Sequence, residues 1–167
     1  YGYTGGGLLF WDRETKTRTL LKHTDLLVDH SVMSLAALPD GKLLVGSGTR
    51  AGTGGEVRAR EAELYVLDMA TKKVEWRQAM LPGAQGYTAM IPGTKGLIFG
   101  FADRHLFFVF DPAARKIVHE KDVGDTFGTT VGGQGPRVFV SDGKGRIFIL
   151  FNKGVAELNP DTYAIAM

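Results

Sequence analysis

Residues 63–76 read Glu-Leu-Tyr-Val-Leu-Asp-Met-Ala-Thr-Lys-Lys-Val-Glu-Trp. Leu64, Val66, Val74 and Trp76 supply apolar side chains in alternation, which is the period of a half-buried strand. Between them, residues 68–73 have the composition of a tight turn, in which the Asp68 side chain can accept hydrogen bonds from backbone N–H groups further along. The stretch therefore predicts a β-hairpin, two short strands joined by a turn.

The same kind of hairpin recurs at residues 8–21, 105–118 and 154–165. A second kind alternates with it, with turns centred on Gly41, Gly93 and Gly143, which are 52 and 50 residues apart. A unit of four strands repeated every 40 to 50 residues is typical of propeller blades. A β-sandwich is the rival fold, but it does not predict two alternating turn types.

The repeats predict an all-β fold of about three and a half four-stranded propeller blades. A half blade is expected at 7–21, and full blades at 32–78, 86–121 and 128–166. Propellers usually close with 4 to 8 blades. We therefore expect residues 1–167 to be a propeller segment, completed by further blades in the same chain or by a second copy.

Residues 63–76 resemble the repeat of the pyrroloquinoline-quinone-type propellers, whose outer hairpin reads approximately Leu-Tyr-Ala-Leu-Asp-Ala-Thr-Gly-Lys-Val-x-Trp. The other three hairpins lack the Thr-Gly pair and a counterpart of Trp76, and they resemble the YVTN-type repeats about as well. The resemblance implies a propeller, in an enzyme or in a non-catalytic scaffold, and an extracytoplasmic location. The matching positions are Tyr65, Leu67, Asp68, Ala70, Thr71, Lys73, Val74 and Trp76.

The composition excludes several classes of function. The chain has no cysteine, which excludes disulfides and thiol chemistry. Its net charge is +2 and its basic residues form no long run, so we expect no nucleic-acid partner. No apolar run approaches the roughly 18 to 20 residues of a membrane span. Residues 1–7 are polar and glycine-rich, so no signal peptide is predicted there.

Most of the loop length is predicted to lie on one face of the propeller. Long loops on a rigid scaffold tend to carry function. This face is expected to collect residues 22–31, 47–62, 79–86, 101–105, 121–135 and 152–153.

The candidate ligand-binding residues are Arg50 and Arg58 in the longest insertion, residues 47–61, together with Arg104 and His105. Guanidinium groups and glycine N–H groups suit a carboxylate or phosphate. The insertion is not followed by a helical pattern, so it is neither a Rossmann nor a Walker loop. The alternative is a mobile surface insertion with solvated arginines.

His23 and His30 are weak candidates for catalysis. Histidine acts as a general base, and a nearby arginine stabilises negative charge, as a polysaccharide lyase acting on an acidic sugar requires. The spacing of seven residues matches no zinc signature, so no metal site is predicted. The alternative is that both belong to a solvated loop. We expect His119, on an outermost strand, to be exposed.

The structural candidates are the turn residues Asp12, Asp68 and Asp111, and Trp76, which we expect to pack between blades with Trp11 and most phenylalanines. The resemblance would imply a quinone cofactor with a bound calcium ion and, in the alcohol dehydrogenases, a vicinal disulfide. Without cysteine or an evident acidic ligand set, no cofactor is predicted.

The first hypothesis is a non-catalytic propeller module that binds a protein or carbohydrate partner through its loop face. The alternative is a carbohydrate-active enzyme such as a polysaccharide lyase, and the weaker alternative is a quinoprotein oxidoreductase.

Overall fold

A computed structural model describes residues 3–132 and 137–167. The chain divides into two compact units, Tyr1–Tyr87 and Thr88–Met167. Within the described residues the strands form one two-stranded and three four-stranded antiparallel sheets, and the one α-helix has four residues. The predicted all-β fold of repeated blades is confirmed.

The first unit contains two sheets in which each strand pairs with the next one along the chain. The two-stranded sheet is formed by β1 and β2, and the four-stranded sheet has the order β3-β4-β5-β6. The strands are β1 (Gly7–Trp11), β2 (Arg18–Lys22), β3 (Ser31–Leu38), β4 (Lys42–Gly48), β5 (Leu64–Asp68) and β6 (Val74–Gln78).

The second unit contains two four-stranded sheets, β7 to β10 and β11 to β14, with the helix α1 between them in sequence. Residues 133–136 of the predicted last blade lie outside the described residues. The elements are β7 (Tyr87–Pro92, whose first residue ends the first unit), β8 (Ile98–Ala102), β9 (Leu106–Asp111), β10 (Lys116–Asp122), α1 (Gly124–Phe127), β11 (Phe139–Ser141), β12 (Ile147–Phe151), β13 (Gly154–Leu158) and β14 (Ile165–Ala166).

The hairpin turns use the hydrogen bonds that the sequence predicts. Oδ1 of Asp12, Asp68, Asp111 and Asn159 accepts backbone N–H groups two or three residues further along. The residue four positions after each of these has a positive φ, between 52° and 62°. A glycine would adopt this conformation more easily. The residues that do so here are Lys16, Lys72, Arg115 and Tyr163.

The core of the first unit lies between its two sheets. Tyr65 and Leu67 of β5 pack with Val45 and with Leu27 from the preceding linker, and one face of β1 and β2 packs against this cluster. Trp11 lies on the other face of β1 and is exposed. Trp76 is half-buried on the outer strand β6. The prediction that Trp11 packs between blades is therefore wrong for this structure, because strand alternation places it on the open face.

The core of the second unit is centred on Phe101. Its ring centroid lies 5.5 Å from that of Phe107, 5.5 Å from that of Phe139 and 5.6 Å from that of Phe151. His119 lies near Phe107, and its Nε2 is buried. The prediction that His119 is exposed is wrong, because even an outermost strand packs one of its faces against the core.

One residue of β12 contacts two different segments of the described chain. Val131 N donates to Leu150 O at 3.1 Å, and Leu150 N donates to Val138 O at 2.9 Å. Val131 and Val138 thus both contact Leu150 of β12.

We expect Phe101→Ala to lower the free energy of unfolding by about 3–5 kcal/mol, because it empties a site surrounded by three aromatic rings. Val155→Ala is the matched control, since Val155 is exposed in the same unit. Trp76→Ala should cost less than Phe101→Ala because Trp76 is half-buried. Denaturant unfolding measures the free energy of unfolding of all three variants. Equal decreases for Phe101→Ala and Val155→Ala would contradict the assignment of Phe101 to the core.

We expect Asp68→Asn to reduce the loss of stability in acid. The Thr71 N–H and hydroxyl donate to Asp68 and hold the pKa of its carboxyl below the ordinary value of 3.8. A lowered folded-state pKa contributes stability above the ordinary value, and this stability is lost as the pH falls through the lowered value. Asparagine keeps the acceptor oxygen, as Asn159 does in the last hairpin, but does not titrate there.

Thermal melts at about pH 7 and about pH 3 test this expectation. The difference in Tm between the two pH values should be smaller for the variant than for the natural chain. An unchanged difference would show that the Asp68 carboxylate does not contribute to acid sensitivity.

Candidate functional site

The insertion predicted at residues 47–61 corresponds in the structure to the connection between β4 and β5, residues 49–63. Both of its ends are anchored on the turn that precedes β7. Thr49 N donates to Gln85 O at 3.0 Å, and Thr49 Oγ1 donates to Gln85 Oε1 at 2.8 Å. At the other end, Ala62 N donates to Ala84 O at 2.7 Å. Thr49 and Ala62 are buried. The insertion therefore leaves the sheet through two fixed points.

The middle of the insertion is hydrogen-bonded to the start of the chain. Gly52 N donates to Tyr3 O at 2.9 Å, and Thr4 Oγ1 donates to Glu56 O at 2.8 Å. A Cβ at Gly55 would lie 2.3 Å from Tyr3 O, so this close approach requires glycine. The sequence alternative of a mobile insertion does not predict these hydrogen bonds to the start of the chain. The glycines of the insertion are the one feature of the sequence that allows such a close backbone approach.

The arginine side chains of the insertion are exposed, as the alternative of a surface insertion expects. Arg50 and Arg60 are exposed along with Arg58. Arg58 Nη2 lies 3.3 Å from Glu56 Oε2, and the two side chains are 59% and 78% exposed. A pair this exposed contributes little to stability.

His23 and His30 both use ring nitrogens to hold the linker between β2 and β3. Asp29 N donates to His23 Nδ1 at 2.9 Å. His30 Nδ1 lies 2.8 Å from Val28 O, and its Nε2 lies 3.1 Å from Glu61 O at the end of the insertion. The structure therefore brings His30 to the end of the insertion, whereas the hydrogen bond of His23 lies within the linker, and both histidines contact the backbone.

Arg104 and His105 hold the loop structure of the second unit. Arg104 Nε and Nη2 donate to Thr130 O at 2.9 and 2.6 Å, and Thr130 N donates to Arg104 O at 2.7 Å. His105 Nδ1 lies 3.1 Å from Asp122 Oδ1. The hydrogen bond from the backbone N–H of Gly124 has the larger effect in holding the pKa of Asp122 below its usual value, and the hydrogen bond with the His105 side chain adds to it.

The predicted ligand-binding residues thus fall into two sets, Arg50 and Arg58 in the first unit and Arg104 and His105 in the second. Gln85, which anchors the insertion, was missed from the sequence because its partner Thr49 lies 36 residues away. Within residues 3–132 and 137–167, no three His, Asp or Glu side chains come together in a way that suits a metal ion. The same residues contain no helix with the length and apolar composition of a membrane span.

No protein-family model matches this chain, and no curated protein does. Solved structures do match it. The Dos1 propeller is 14% identical with a TM-score of 0.58, over 96% of this chain and 38% of that one. The extracellular domain of the putative one component system BT4673 from B. thetaiotaomicron is 13% identical with a TM-score of 0.57, over 95% of this chain and 23% of that one.

A third similar structure is the beta-propeller domain of Myceliophteria thermophila Cps50 (Swd1), 9% identical with a TM-score of 0.61, over 96% of this chain and 51% of that one. The chain thus spans about half the length of these structures or less. At this level of identity the likeness concerns the fold alone, and the finer resemblance to quinone-type or YVTN-type repeats stays a prediction. The chain folds as β-propeller blades.

Proposed function

We propose that this chain is a non-catalytic propeller module that binds a carboxylate-rich ligand through its arginine-bearing insertion. The observation that carries the proposal is an exposed set of guanidinium groups on a loop whose backbone is hydrogen-bonded at both ends and in the middle. Arginine forms paired hydrogen bonds with carboxylates, which gives direction as well as charge.

The hydrogen bonds of the insertion favour binding because they order the loop in advance. A loop that is ordered only on binding loses affinity through the entropy of that ordering. Here Gln85 holds one end of the insertion, and Glu61 Oε2 accepts a hydrogen bond from Gly83 N at 3.0 Å near the other. Thr4 holds the middle through Glu56.

The surface around the arginines also offers apolar contact. Val57 is 61% exposed, and Tyr3, whose carbonyl oxygen accepts from Gly52, is 66% exposed. Tyrosine and arginine are enriched among the residues that dominate binding energy at protein interfaces. The exposed residues of the insertion and of the segment bonded to it, Tyr3, Arg50, Val57, Arg58 and Arg60, are together named the insertion surface.

The proposal assigns Arg104 and His105 a positioning role in the second unit. Arg104 donates two hydrogen bonds to the carbonyl oxygen of Thr130, and His105 Nδ1 contacts Asp122 Oδ1, so both side chains support the loops of their own unit. The lyase alternative is less well supported, since His23 Nδ1 accepts a hydrogen bond from Asp29 N and both ring nitrogens of His30 lie against backbone carbonyl oxygens.

We expect a fluorescent hexaglutamate peptide to bind the chain, with an affinity that falls as salt is raised. Arg50→Ala and Arg58→Ala should each weaken binding by about 3- to 10-fold, because each removes a charge-assisted contact. Fluorescence anisotropy measures binding, and competition by an oligogalacturonate tests whether an acidic sugar binds at the same place.

Arg18→Ala is the matched control, because Arg18 is an exposed arginine on β2 of the same unit. The affinity of Arg18→Ala for the hexaglutamate peptide should stay within about twofold of the affinity of the natural chain. Equal weakening by Arg18→Ala and Arg50→Ala, or no binding at low salt, would rule the proposal out.

A further inference from the structure

The open face of the two-stranded sheet in the first unit is apolar at its centre. The register sets Leu9 opposite Leu20, and residues directly opposite each other share a face. Trp11 lies two positions after Leu9 and therefore points to the same face. These three side chains are 59%, 59% and 56% exposed, whereas the other face of the sheet packs into the core of the unit. A cluster of exposed apolar side chains, unlike a single one, indicates an interaction site.

Positive charge borders this apolar centre. Arg18 lies directly opposite Trp11, and Lys22 lies opposite Gly7 at the other end of the same two strands. Both positions alternate with Leu20 along β2, so they share its face, and both residues are exposed. Leu9, Trp11, Arg18, Leu20 and Lys22 are together named the hairpin face.

A second open sheet face lies in the second unit, on β11 to β14. Ile149 of β12 belongs to the core, so its neighbours Phe148 and Leu150 point to the other side of the sheet. The register places residues of the adjacent strands beside them, and two of these, Val140 and Val155, are 52% and 56% exposed. The residues together named the last-sheet face are Val140, Phe148, Leu150, Val155, Glu157 and Ala166.

The last-sheet face carries the opposite charge. Glu157 is exposed on β13. Arg146, whose guanidinium carbon lies 5.2 Å from the centre of the Phe148 ring, is paired with Asp142 at 2.7 Å. Because that ion pair is neutral as a whole, Glu157 leaves the face with a net negative charge. A groove of about 450 Å³ lies beside Glu157, and its lining includes Ala166.

We propose that the hairpin face of one copy of this chain docks on the last-sheet face of a second copy, with Trp11 seated in the groove and Arg18 and Lys22 beside Glu157. Tryptophan is prominent among the residues that anchor interfaces by filling a pocket of the partner. The opposite charges select this arrangement, because two hairpin faces would bring the cations of both copies together. None of these residues belongs to the insertion surface, so the inference does not depend on the proposed function.

The contact is expected to be weak and directional. The hairpin face spans two strands of five residues, which is small beside the roughly 800 Å² that each partner of a stable complex buries. The two faces differ, so every docked copy keeps one further face for the next copy. Association should therefore depend on concentration and continue beyond two copies.

Sedimentation velocity of the chain between about 10 µM and about 1 mM tests the contact. The average mass of the natural chain should rise with concentration. Leu20→Glu on the hairpin face and Val155→Glu on the last-sheet face should each raise the apparent dissociation constant at least about 10-fold, because each places a carboxylate in an apolar centre.

Two matched controls introduce the same charge elsewhere. Thr19→Glu changes an exposed residue on the opposite face of β2, and Val118→Glu changes an exposed valine on another sheet of the second unit. Both should associate as the natural chain does. A natural chain that stays monomeric at every concentration would overturn the proposal, and so would association that neither face variant weakens.

Mixing the two face variants tests which surfaces meet. Leu20→Glu keeps its last-sheet face and Val155→Glu keeps its hairpin face, so an equimolar mixture should form a one-to-one dimer and nothing larger, while each variant alone stays monomeric. Recovery in the mixture also shows that both variants fold. If either variant melts at a lower temperature than the natural chain, Trp11→Ala and Val140→Ser replace them. A mixture of folded variants that stays monomeric would exclude contact between unlike faces.

Discussion

The architecture depends on burying both faces of the central strands. All five residues of β8 are buried, and so are residues 64–67 of β5 and 107–110 of β9. Side chains of a strand point alternately to opposite faces, so complete burial requires cover on both of them. These strands accordingly carry mostly apolar runs, and most of the charged side chains lie on the connections and the outer strands.

The insertion surface follows from this constraint. The insertion connects β4 and β5, which are the central antiparallel pair of their sheet, and its ends cannot move without disturbing buried strands. The added length costs little, because the entropy of closing a loop grows slowly with the number of residues. Hydrogen bonds to Gln85 and Tyr3 then order a segment that has no secondary structure of its own.

Turn chemistry was predictable from sequence because its partners are close neighbours. Asp68 and Asn159 accept hydrogen bonds from residues two or three positions away, as the pattern indicates. The match of residues 63–76 to the quinone-type repeat did not predict how the side chain of Trp76 packs. Trp76 matches the repeat that residues 63–76 resemble, yet it is half-buried, because it lies on an outer strand where packing depends on what covers that strand.

The amino-acid sequence by itself determined the strands, the alternating hairpins and the propeller fold, since these depend on apolar period and on hydrogen bonds within a few residues. The tertiary structure decided the roles of the polar loop residues. Arg104 bonds to Thr130, 26 residues away, and His30 contacts Glu61, 31 residues away. Which backbone group meets a side chain across such a distance depends on the register of the intervening strands, and no local pattern encodes that register.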